Sequence, residues 1–224
     1  MSALSRQQMA WRAAQDIPDG AVVNLGLGMP VAVSNHLPAD RDIFLQAENG
    51  VIGVGPQAEG EGDPDLVDAG SRRITLRPGA TIVESAASFA MIRGGHIDIT
   101  VLGAFEVAAN GDLANWDARV PDKGPLVGGA MDLALGARST WVIMEHNTRS
   151  GGPRLVQACA LPLTGRACVT RVYTDIAVID VTSDGFVARE LVPSIDTETL
   201  AARSGAPISV PADCRALQAP ALPD

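Results

Sequence analysis

The apolar positions of this chain switch repeatedly between helical spacing and unbroken runs. Ser5-Arg6-Gln7-Gln8 has the form of a capping box, and Met9, Ala10, Ala13, Ala14 and Ile17 follow it at the spacing of one helix face. Pro18-Asp19-Gly20 stops that helix, and residues 21–25 read as a buried strand. The strand feeds Gly26-Leu27-Gly28-Met29-Pro30, where the proline suits a first helical turn because its missing N–H would have had no partner there; residues 31–37 continue that helix. A second strand is expected over 42–46, and the polar, acidic, Gly- and Pro-rich segment 57–69 reads as a surface loop.

Further along, 73–76 and 81–83 read as two short strands flanking Pro78-Gly79, and 88–93 as a short helix ended by Gly94-Gly95. Residues 97–102, 141–144 and 177–181 are apolar runs interrupted only by Asp98, Thr100 and Asp180, the composition of strands covered on both faces. With helices expected at 130–135 and 152–159 between them, the pattern predicts an α/β fold: an open, mostly parallel sheet flanked by helices.

At 224 residues and 46% hydrophobic content the chain is long enough for one sizeable core. The expected organisation is a single domain, 1–224, with 1–4 and about 207–224 as peripheral tails. The net charge of −9, from 26 acidic and 17 basic side chains, supplies no basic stripe to neutralise a phosphate backbone, so nucleic acid is not an expected partner. Arg6, Gln7, Gln8, Arg12 and Asp16 interrupt any apolar leader, and no run approaches a bilayer span; a cytoplasmic protein with no membrane partner is expected. Cys159, Cys168 and Cys214 are odd in number and lack CxxC spacing, which predicts buried reduced thiols rather than disulfides or zinc. His36, His96 and His146 stand far apart, so no metal site is expected.

Carboxylate chemistry is what remains, since neither a GxSxG elbow nor a P-loop is present. Glu48 follows the apolar stretch Phe44-Leu45-Gln46-Ala47 and precedes Asn49-Gly50, a dipeptide suited to positive φ. A sharp reversal there presents the carboxylate as a candidate nucleophile; the plainer alternative is a solvated glutamate beside a turn. Gly26-Leu27-Gly28, opening a helix, is a candidate anion site, although Val31 and Pro30 spoil a dinucleotide fingerprint. Gly128-Gly129 precedes the helix expected from Ala130, where backbone amides can stabilise negative charge developing on oxygen or simply make a tight helix entry.

Taken in order, Asn24-Leu25-Gly26-Leu27-Gly28-Met29-Pro30, Leu45-Gln46-Ala47-Glu48-Asn49-Gly50, Ser88-Phe89-Ala90-Met91-Ile92-Arg93-Gly94-Gly95-His96, Gly111-Asp112-Leu113-Ala114-Asn115-Trp116, Gly128-Gly129-Ala130-Met131-Asp132-Leu133 and Leu161-Pro162-Leu163-Thr164-Gly165 resemble the β subunit of family I coenzyme A transferases. The likeness covers about residues 5–210. It implies that fold type and makes Glu48 a covalent nucleophile that passes through a glutamyl-CoA thioester in a ping-pong reaction. It further implies that Gly129 holds the thioester oxyanion through its N–H, that Asn24 stands beside the glutamate, and that Gly26, Gly28, Asn49 and Gly50 bind substrate. No permanently bound cofactor is implied; the coenzyme A thioester is itself a substrate, together with small carboxylic acids.

Phe44-Leu45-Gln46 looks nearer to enzymes that move coenzyme A between succinyl-CoA and an acetoacetate-like 3-oxo acid, with 3-oxoadipate as the alternative acid. The resemblance also implies a homologous α subunit, in a heterodimer or an α2β2 heterotetramer; Met1 leads almost directly into the first helix, as in a separate subunit. Two positions depart from the family pattern. Ser71 stands where several relatives have lysine, leaving Arg72 or Arg73 to supply a charge contact to coenzyme A, and Ala47 replaces a serine before Glu48. Sugar-phosphate isomerisation on a related sheet, or a non-catalytic ligand-sensing subunit, are the other readings of such a fold.

Overall fold

The computed structural model describes residues 3–120 and 124–222; Met1, Ser2, Pro223 and Asp224, the extremities of the two tails, lie outside them. Helix α1 (Arg6–Asp16) begins as expected: Ser5 Oγ accepts from the Gln8 N–H and Gln8 Oε1 accepts from the Ser5 N–H, and Met9, Ala10, Ala13 and Ala14 are buried. It is followed by β1 (Val22–Leu25), a 3₁₀ helix (Met29–His36), β2 (Phe44–Ala47), β3 (Val51–Gln57), β4 (Ile74–Ile82) and α2 (Ser85–Arg93). Next come β5 (Ile99–Leu102), β6 (Glu106–Ala108), β7 (Leu113–Ala114), α3 (Ala130–Gly136), β8 (Ser139–Ile143) and β9 (Leu155–Val156). The chain continues through β10 (Val169–Tyr173), β11 (Ala177–Thr182), β12 (Gly185–Leu191), α4 (Thr197–Arg203), β13 (Ile208–Ser209) and β14 (Arg215–Ala216).

Among the described residues the main sheet has eleven strands in the order β13-β12-β11-β10-β8-β5-β1-β2-β3-β4, with β14 alongside β12. Its centre, β2-β1-β5-β8-β10, is parallel; β3 and β4 fold back antiparallel at one side, β11 and β12 at the other. The apolar runs read from the sequence are those central strands: Val23, Val101 and Val142 are fully buried between helices and sheet. A second sheet, β7-β6-β9, sits beside the carboxyl ends of β5 and β8.

Several expectations are corrected. Residues 73–83 form one strand, not two: β4 is the edge of the sheet, so Pro78 removes no ladder bond on its outer side, and Gly79 at φ +82° accommodates the irregular register with β3. Residues 152–159 are not helical. Leu155 and Val156 pair with β6 instead, where the N–H groups of Val107 and Ala109 donate to the Arg154 and Val156 carbonyls, so tertiary pairing overrides the local pattern. The helix after Gly28 is 3₁₀, and the cysteines are half-buried rather than buried. In the carboxyl-terminal tail, β13 and β14 extend the sheet beside β12 and Leu217 is fully buried.

Candidate active site

The parallel strands β1, β2, β5 and β8 end at one edge of the sheet, the place where open α/β folds bind ligands. A cleft of about 480 Å³ opens there, lined by Gly26 and Leu27 after β1, Glu48 after β2, Ala104 after β5 and Glu145 after β8. Glu48 owes its position to the reversal between β2 and β3. The Gly50 N–H donates to the Ala47 carbonyl at 3.0 Å, Gly50 lies at φ +124°, and a Cβ there would run into the Val83 carbonyl oxygen. Only glycine closes this turn. Asn49 faces outward and its Nδ2 donates to the Val67 carbonyl at 2.8 Å, tying the turn to the acidic loop.

The Glu48 carboxylate is half-buried and accepts a hydrogen bond from the Gly129 N–H at the start of α3. The approach is close: a Cβ on Gly129 would stand 2.5 Å from Oε2, 2.7 Å from Cδ and 2.9 Å from Oε1 of Glu48. Burial pushes the Glu48 carboxyl above its usual range, the Gly129 hydrogen bond pulls it down, and the negative charge of Asp132, one turn into α3, pushes it up again. Asp132 is itself paired with Arg93 at 2.6 Å. The result is a carboxylate with raised basicity facing an apolar cleft.

The other expected site residues divide. Gly26 lines the cleft, but its N–H is engaged by the Val101 carbonyl at 2.8 Å, and a Cβ would stand 3.0 Å from Leu102 Cδ2, so its smallness also serves strand packing. Gly28, Asn49 and Gly50 do not line the cleft; Gly28, at φ +85°, shapes the entry to the 3₁₀ helix, and the other two build the turn that carries Glu48. Asn24 is buried opposite Gln46 in the β1–β2 register, and its Nδ2 donates to the Gln46 carbonyl at 3.1 Å and to Gln46 Oε1 at 2.6 Å. Gln46 Nε2 in turn donates to Ser88 Oγ at 2.7 Å. The amide nitrogen of Asn24 therefore braces the strand beneath Glu48 rather than touching its carboxylate.

Asn24 and Gln46 instead line a second cleft, of about 590 Å³, which meets the first at Leu27. Arg72 borders it and is held by Asp68 at 2.7 Å, while Ser71 takes a left-handed turn at φ +61°. Sequence reasoning missed Arg6, Glu145 and Arg154 in the first cleft. Glu145 was detectable as the charge that ends the run 141–144; Arg154 lay hidden in the segment read as a helix. Among the described residues no group of three or more His, Cys, Asp or Glu side chains is arranged to hold a metal, and no helix is long and apolar enough to cross a membrane.

The family model for Coenzyme A transferase matches residues 6–202. The chain is 50% identical over 204 residues to the β subunit of the 3-oxoadipate CoA-transferase of Acinetobacter baylyi, covering 91% of this chain and 94% of that protein. It is 45% identical over 208 residues to the β subunit of the probable succinyl-CoA:3-ketoacid coenzyme A transferase of Bacillus subtilis, covering 92% and 95%. The solved acyl-CoA transferase YdiF of Escherichia coli O157:H7 has the same fold, with a TM-score of 0.76 at 17% identity; 97% of this chain is covered but only 44% of that one. The chain belongs to the coenzyme A transferase family.

Proposed function

We propose that this chain is the catalytic β subunit of an enzyme that moves coenzyme A between succinyl-CoA and a 3-oxo acid, with Glu48 as the nucleophile. The observation that carries the proposal is the Glu48 carboxylate held against the Gly129 N–H in a cleft at the carboxyl ends of the central strands. An ionised carboxylate needs no external base to attack the acyl-CoA carbonyl, and its raised basicity favours attack. The attack expels the coenzyme A thiolate and leaves a mixed anhydride. Return of the thiolate to the Glu48 carbonyl releases the acid and forms a glutamyl-CoA thioester, which a second acid discharges by the reverse steps. The Gly129 N–H that holds a carboxylate oxygen before the reaction is in place to hold the thioester oxygen afterwards, and a tetrahedral oxyanion between the two. Asn24, Asn49 and Gly50 act in this reading by fixing the strand and turn that carry Glu48.

A thioester must be shielded from water. Leu27, Leu126, Val127, Met131 and Leu135, around the cleft and along α3, are exposed apolar side chains, which supports a covering partner. The relatives are themselves named as one subunit of a larger enzyme, which supports a homologous α subunit as that partner, in a cytoplasmic enzyme. Identity to a 3-oxoadipate subunit exceeds identity to a succinyl-CoA:3-ketoacid subunit, which favours 3-oxoadipate over acetoacetate as the acid. The test is mass spectrometry of the chain co-purified with its α subunit and mixed with succinyl-CoA. A coenzyme-A-sized mass gain on the peptide containing Glu48, lost in Glu48→Gln, is expected; a folded complex that never gains it overturns the proposal.

A further inference from the structure

The cleft that holds Glu48 also holds two arginines, and their surroundings differ. Arg6 is exposed and already neutralised by Glu145, with Nη2 and Oε1 2.8 Å apart. Arg154 has no carboxylate partner among the described residues. Its Nη1 donates to the Ala104 carbonyl at 2.9 Å, while its Nε is buried and finds no acceptor among the described residues. A half-buried guanidinium with five N–H donors, this little engaged, lacks a counter-charge.

We infer that Arg154 receives the far carboxylate of a dicarboxylate substrate and so makes the site selective for dicarboxylic over monocarboxylic acyl groups. The inference rests on the transferase reading and specifies its substrate class. Ala104, which anchors Arg154, follows β5, and Glu48 follows β2; β1 alone lies between these strands. Two strand spacings separate the two groups by about 10 Å. A four- to six-carbon diacid, with its reacting carbon in attack distance of Glu48 and its other end in hydrogen-bond distance of a guanidinium, spans about that length. The wall between is apolar, formed by Leu102, Phe105 and Leu133, as methylene groups require. Succinate and 3-oxoadipate both keep a second carboxylate after activation; acetoacetate has none.

The experiment charges the assembled α–β complex with acetoacetyl-CoA, so that the donor is monocarboxylic, and measures single-turnover discharge of the Glu48 thioester by succinate, 3-oxoadipate and acetoacetate. Arg154→Gln is expected to lower the rate for the two diacids, relative to acetoacetate, by roughly 10- to 100-fold, the worth of a charge-assisted pair. Arg154→Lys recovers part of the preference, since it keeps the charge without the fork. Equal losses for all acids mean a structural role and overturn the proposal, as does a diacid preference that follows Arg6→Gln instead. A separate equilibrium readout is the rise in Tm of the complex on adding succinate, expected in wild type and absent in Arg154→Gln. If no thioester forms but this shift still depends on Arg154, the transferase reading falls and the diacid site stands; if thioester forms and neither discharge nor the shift depends on Arg154, the diacid site falls alone; if neither thioester nor shift is seen, both fall.

Discussion

Gly129→Ala isolates the contact on which the reaction depends. Gly129 sits at φ −74°, ψ 0°, a conformation any residue adopts, so the substitution brings no backbone strain. The obstacle to the new methyl is the Glu48 carboxylate itself, whose three outer atoms would lie 2.5, 2.7 and 2.9 Å away. Ordinary contact requires about 3.5 Å, so the carboxylate must retreat by roughly 1 Å. A displacement of that size costs about 100-fold in rate, or about 2.7 kcal/mol of transition-state stabilisation. Folding stability is expected to move by less than about 1 kcal/mol, because alanine restricts the unfolded chain while weakening the cap slightly. The assay is the rate of thioester formation on Glu48 in the assembled complex, alongside thermal unfolding. Gly124→Ala, whose added methyl meets nothing within 4 Å, is the control and is expected to stay within about twofold. A Gly129→Ala rate within threefold of wild type, at normal stability, would refute the placement of the reacting carboxylate against this amide.

Because burial raises the Glu48 pKa, the acid limb of the thioester-forming step should lie above the ordinary carboxylate range; Asp132→Asn removes a neighbouring negative charge and releases Arg93, so a pH–rate profile should show the limb moving to lower pH. The stabilising effect of a raised carboxyl pKa is present below the unfolded value and lost as pH rises through the folded one, so Glu48→Gln should be more stable than wild type at neutral pH and lose that advantage on acidification, as read by Tm against pH. Arg12 and Glu190 are buried and joined at 2.7 and 2.8 Å, with Arg12 also holding Asp16. Arg12→Met should cost about 3 kcal/mol, a fall in Tm on the order of 10 °C in calorimetry; a change under about 2 °C would show that Arg215 alone suffices for Glu190.

Local chemistry made much of this protein legible from its sequence. The capping box at Ser5, the turn at Asn49-Gly50 and the apolar runs that became β5, β8 and β11 are set by residues a few positions apart, and Glu48 was readable because its turn is local too. Motif order carried the family and, with it, Gly129. Contacts between distant segments were not legible. That Pro78-Gly79 can lie inside a strand depends on β4 being an edge, and that 155–156 pairs rather than coils depends on β6 arriving beside it. Asn24 was expected beside Glu48, but the β1–β2 register gives its amide to Gln46. The parallel strand order, which no local signal encodes, sets Glu48 two strands from Ala104 and thereby decides which arginine shares its cleft. Residue order along the chain determines which backbone conformations are cheap at each position, whereas a cleft is made where separate strands end together, and that depends on how the whole core packs.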